Sequence, residues 1–180
     1  MVKHTRTTLS NGLPLVVIEV PGSKSAAVSY WSKAGTRFNP KGKEGLAHFL
    51  EHMLLKKCKK YPTSAKLAQV LERVGASHNG TTHRDWVHFD IFSASKDIPL
   101  TLQVLSKIIS EPLIDKKDTD SEREVIKKEQ IRKDSNPGDL VWDVWFKIFF
   151  EGTPLEFSNL GISESISNID KDDLFKFWKE

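Results

Sequence analysis

The chain has 180 residues, 38% hydrophobic and 28% charged, which suits one soluble globular domain with a core of its own. Its 27 basic and 24 acidic residues leave a net charge of only +3, which argues against nucleic acid as a partner, and no apolar run is long enough to span a membrane. The single cysteine, Cys58, excludes an internal disulfide framework and fits a reducing compartment. Residues 1–9 lack an apolar signal core, so a cytoplasmic location is expected, or an organelle matrix after loss of a transit peptide.

In chain order, residues 5–20 read as extended, with Leu13, Leu15, Val16, Val17 and Ile18 flanking the turn signal Asn11-Gly12. Residues 26–33 read as a second strand and 34–43 as a polar loop. A helix is expected over 44–57, ending in the Lys56-Lys57-Cys58-Lys59-Lys60 run, read as a solvated helix end. Cys58 is read there as a plain thiol among lysines. A helix over 64–74 is marked by Thr63 or Ser64 as cap, Gly75 just past its end, and Leu67, Val70, Leu71 and Val74 at helical spacing. Residues 77–82 and 86–94 read as strands, the second alternating apolar and polar side chains. From Ile98 onward the period is helical: 100–109, 118–133, 139–150 and a last helix from Asp170, with 161–168 as a connection. No domain boundary is apparent, and the expected class is α+β, an antiparallel sheet covered by helices.

The first helix carries the chemistry. His48 and His52 lie four apart with Glu51 between them, in a segment otherwise made of Leu46, Ala47, Phe49, Leu50, Met53 and Leu54. At about 100° per residue the two imidazoles stand one turn apart on one face, and Glu51 falls on its flank. This His-x-x-Glu-His pattern is that of inverted zinc peptidases. The plainer alternative is two hydrogen-bonded core histidines. Burying three such groups costs several kcal/mol unless something satisfies them, and a divalent cation does so.

A catalytic zinc site takes three protein ligands. In the charged helix, Glu122 and Glu129 are seven apart and share a stripe to within about 20°, on the side of Val125 and Ile126. Two carboxylates on an apolar stripe need compensation, which makes Glu129 the best third ligand. Pairing of both with surface lysines is the competing explanation.

These residues, together with Leu9-Ser-Asn-Gly-Leu13, Gly35-Thr-Arg37, Tyr61-Pro62, Gly75, Asn79, Asn136-Pro137, Gly161 and Asp173-Leu174, resemble the N-terminal part of the pitrilysin or insulinase family of metallopeptidases. The likeness is strongest to the branch containing the mitochondrial processing peptidase, and the separation of His52 from Glu129 is the one that family shows. The resemblance implies one Zn2+ held by His48, His52 and Glu129, Glu51 as general base, and Glu122 as a supporting carboxylate. It implies that Asn79, Gly80, Thr81 and Thr82 form the edge strand on which an extended peptide is laid, with Gly80 where the family more often has Ala. It implies a zinc-dependent endopeptidase acting on extended peptides. It also implies that residues 1–180 are a single metallopeptidase unit stopping before its last strands, requiring a homologous second half or partner subunit and cleaving weakly or not at all alone. The alternative within the family is a non-catalytic scaffold or partner subunit, whose members tend to lose the metal residues that this chain keeps.

Overall fold

A computed structural model describes residues 3–180; Met1 and Val2, part of the segment read for a signal core, lie outside the described residues. Strands β1 (Lys3–Thr8) and β2 (Pro14–Glu19) form an antiparallel hairpin, turned at Asn11-Gly12 as expected. Strands β3 (Ser25–Ser32), β4 (Ser77–Thr82) and β5 (Val87–Ala94) form a separate antiparallel sheet in the order β3-β5-β4. That order leaves β4 at an edge. Val87, Phe89 and Ile91 of β5 turn one way into the core, as its alternation predicts.

The helices are α1 (Leu46–Leu54), α2 (Ser64–Glu72), α3 (Ile98–Ser110), α4 (Lys116–Asp134), α5 (Pro137–Phe149), α6 (Ser163–Asn168) and α7 (Lys171–Lys179). Among the described residues, none is long and apolar enough to cross a membrane. Helix α1 lies among β4, α4 and α7, and every residue in it except His52 is buried. A helix apolar on nearly all sides must sit inside the core, and α1 does. Thr63 caps α2 as expected, accepting from the Lys66 amide.

Three sequence expectations need correction. Helix α1 is shorter than residues 44–57. Gly45 precedes it with φ +94°, a left-handed conformation that cannot continue a helix, and Asn39 Oδ1 accepts from the Ala47 amide at 2.9 Å. At the far end Lys56 and Lys57 leave the helix for acidic partners, Lys56 pairing with Glu122 and Lys57 with Asp115 and Asp118. The lysine run is therefore anchored at its start rather than merely solvated, and Cys58 is fully buried, pairing as a short bridge with Pro112. Second, residues 161–168 are not only a connection, because Ser163–Asn168 form α6. Its polar composition hides a tertiary role: Ile166 and Ser165 are buried, and the Ser165 hydroxyl donates to the Glu44 carbonyl. Third, Val125 is exposed; the inward stripe of α4 is Thr119, Glu122, Ile126 and Gln130.

The entry to α1 depends on two glycines in contact. A Cβ on Gly161, itself at φ +73°, would fall 2.0 Å from the Glu44 carbonyl oxygen, and one on Gly45 would fall 2.6 Å from Ile166 Cδ1. Gly161→Ala should therefore destabilise the chain by more than the roughly 1–3 kcal/mol of the backbone strain alone. Chemical denaturation checks this; a midpoint equal to that of the parent chain contradicts it.

Candidate metal centre

Helices α1 and α4 bring their polar side chains together at one point. His48 Nε2 and His52 Nε2 are 3.1 Å apart, and Glu129 Oε2 is 3.5 Å from the latter and 3.8 Å from the former. Among the described residues these three form the one group of His, Cys, Asp or Glu side chains positioned to hold a metal ion. Zinc bonds of about 2.0–2.2 Å in a tetrahedron require donor atoms separated by about 3.3–3.6 Å, and the three spacings straddle that value. Two imidazole nitrogens and a carboxylate oxygen are also the donor types that zinc takes. The residues fit the ion.

Glu122 stands behind His52, accepting from Nδ1 at 2.9 Å, so that the lone pair of a neutral ring falls on Nε2, toward His48 and Glu129. Its other oxygen meets Lys56, four residues after His52 and just past the end of α1. Lys56 was not expected at the site, although its spacing of four from His52 was the signal for it. His48 has no such support. Its Nδ1 is buried without a hydrogen-bond partner, so only the contacts of its Nε2 and the packing around the ring orient it.

The electrostatics of this cluster follow from burial and proximity. Burial, with the neighbouring charge of His52, lowers the pKa of His48 to about 4. Burial also opposes charge on His52, but contacts with Glu122, Glu129 and Glu51 outweigh it and raise that group to about 9. The hydrogen bond from His52, aided by Lys56 against the cost of burial, holds Glu122 at about 2. The same imidazole keeps Glu129 ionised below the usual carboxylate range. Burial raises Glu51, although a hydrogen bond from Thr82 works the other way. Positive charge is thus favoured on the His52 ring, which lies between Glu122 and Glu129.

Glu51 lies on the flank of the cluster and faces β4, where the Thr82 hydroxyl donates to its Oε2. Asn79, Gly80, Thr81 and Thr82 occupy β4, whose outer edge has no strand beside it among the described residues. Sequence reasoning missed Asn159, which accepts from the Thr36 hydroxyl and donates to the Thr82 carbonyl, fastening the end of β4. A lone Asn in a connecting segment offers no sequence signal for that role.

A family model described as insulinase, peptidase family M16, matches residues 15–161. The chain belongs to that family. The M16 relatives include the beta subunit of the mitochondrial-processing peptidase of Lentinula edodes, 33% identical over 95% of this chain and 36% of that protein. Subunit 1 of the mitochondrial cytochrome b-c1 complex of Caenorhabditis elegans is 35% identical over 97% of this chain and 36% of that protein. The crystal structure of pitrilysin superposes with a TM-score of 0.85 and 25% identity, covering 99% of this chain and 19% of that one. The M16 chain thus spans about a third of the length of the curated relatives it matches. The α+β metallopeptidase-like fold expected from the sequence is the one observed.

In this M16 unit Glu122 touches His52 and not the cluster's centre. Glu122→Gln should therefore weaken zinc binding by about 10–100-fold without abolishing it, as loss of an outer carboxylate does. Competition against a chromogenic chelator measures this, and an unchanged affinity contradicts it.

Proposed function

We propose that the chain carries the catalytic site of a zinc-dependent endopeptidase that hydrolyses extended peptides. The observation that carries this reading is the convergence of His48, His52 and Glu129 within 4.8 Å of one another, with Glu51 beside them. Zinc, when bound, supplies Lewis-acid polarisation of the scissile carbonyl and lowers the pKa of water.

The remaining roles belong to the chain. His48, His52 and Glu129 hold the ion, and Glu122 keeps His52 in its ligating tautomer. Glu51 takes the proton of the attacking water on its carboxylate and passes it to the leaving amine. Burial favours its protonated form, which helps it take that proton from the water. An extended peptide adds to the free edge of β4 along Asn79, Gly80, Thr81 and Thr82, with main-chain hydrogen bonds supplying affinity.

We also propose that residues 1–180 form one unit that works against a homologous second half or a partner subunit. Two features support this beyond the relatives' greater length. Helix α5 buries none of its residues, although Val141, Trp142, Ile148 and Phe149 are apolar and exposed. The apolar run Leu15, Val16, Val17 and Ile18 of β2 is likewise exposed on both faces. Surfaces of this kind mark contacts with other polypeptide.

A second reading is a non-catalytic scaffold or partner subunit of the same family; the likeness to a protein named as a subunit of the cytochrome b-c1 complex supports the subunit part of it. The test is peptide hydrolysis by the chain, alone and with the homologous half of a relative, before and after a chelator. Chelator-sensitive hydrolysis restored by zinc supports the peptidase. One zinc per chain with no hydrolysis in either mixture supports the subunit.

A further inference from the structure

Side chains on β4 alternate between faces, so Gly80 and Thr82 share the face turned toward α1. They stand opposite Phe89 and Val87, both buried in the core. Thr82 is itself buried, and its hydroxyl is spent on Glu51 Oε2. Gly80 lies against the same side chain from below. A Cβ there would come within 2.7 Å of Glu51 Cγ and 2.8 Å of Oε1.

We propose that Thr82 is a positioning residue for Glu51, and that Gly80 makes this possible by leaving the volume into which the Glu51 side chain folds. The inference rests on the reading of Glu51 as general base. A glutamate has three side-chain torsions, and a base must stay within hydrogen-bond reach of the proton it takes. The Thr82 hydroxyl fixes one oxygen and leaves Oε1 as the free acceptor. The ordering cost is then met by folding rather than at each turnover. Thr82 thereby has a different part from that of a peptide-contacting side chain, since its hydroxyl is taken by Glu51 and its carbonyl by Asn159. A Cβ at position 80 would press on Glu51 and displace it relative to Thr82.

The test uses the full chain with Thr82→Val, Thr82→Ser and Gly80→Ala. Thr82→Val should lower kcat by about 10-fold, the scale of one hydrogen bond to a charged group, with KM and zinc content unchanged. Thr82→Ser should restore most of that loss. In the Gly80→Ala background, Thr82→Val should cause no further loss, because the contact is already broken. A readout independent of turnover is the melting temperature of chelator-treated protein. Thr82→Val should lower it in the parent chain and leave it unchanged when Glu51→Ala is already present. Full additivity of either pair, or a Thr82→Val effect on KM or zinc content instead of kcat, overturns the proposal. Undiminished hydrolysis by Glu51→Gln would defeat the general-base reading separately, while the melting cycle still decides whether Thr82 holds Glu51.

Discussion

Glu51→Gln is expected to leave one zinc per chain in place and to lower peptide hydrolysis by about 10²–10⁴-fold, the range contributed by a positioned acid–base group. The substitution keeps the volume and the hydrogen bond from Thr82 but removes the capacity to accept a proton. Glu51 is not among the three donors that meet at the cluster, so the metal should stay. Both halves of the result matter. Loss of turnover with loss of zinc would make Glu51 a ligand or a folding residue, and full turnover with zinc retained would move proton transfer to another group. The buried carboxylate also predicts a side effect in the opposite sense. Burial disfavours its charge, so a neutral amide should not lower the stability of the metal-free protein.

Loss of a first ligand should act on the metal before it acts on catalysis. Glu129→Ala and His48→Ala are each expected to weaken zinc binding by more than the 10–100-fold cost of removing an outer carboxylate. The consequence is visible without any substrate. Zinc at about 100 times its Kd should stabilise the parent chain by about 2.7 kcal/mol. For a chain of this length that corresponds to a rise in melting temperature of about 5–10 °C. Both variants should lose the rise at the same zinc concentration. Chelator-treated Glu129→Ala should melt somewhat below the chelator-treated parent, because the contact of Glu129 with His52 favours the charged form of each. A zinc-induced rise retained in full by Glu129→Ala would leave α4 outside the metal site.

Much of this site could be read from residue order because it is built on helices. A spacing of four fixes two imidazoles on one face whatever surrounds them, and a spacing of seven puts Glu122 and Glu129 on one stripe. Tertiary structure was needed to show that the two faces meet. It was also needed to separate the two carboxylates, one at the imidazole pair and the other behind His52 beside Lys56. The ends of α1 were misplaced because a left-handed glycine and the acidic partners of Lys56 and Lys57 decide them, and those partners lie in α4 and its cap. Helix α6 was overlooked for a related reason. Its serines favour turns locally, and only burial of Ile166 and the Ser165 bond to Glu44 select the helix. The role of Thr82 was hidden as well, since alternation along β4 identifies the face it occupies but not the side chain it meets there.

X-ray absorption at the zinc edge of the purified, zinc-loaded chain addresses the convergence of α1 and α4 most directly. The structure predicts one ion with two imidazole nitrogens and a carboxylate oxygen at about 2.0–2.2 Å, an imidazole signal that is reduced in His48→Ala, and a changed oxygen shell in Glu129→Ala. A spectrum without histidine scattering, or one left unaltered by Glu129→Ala, would contradict it.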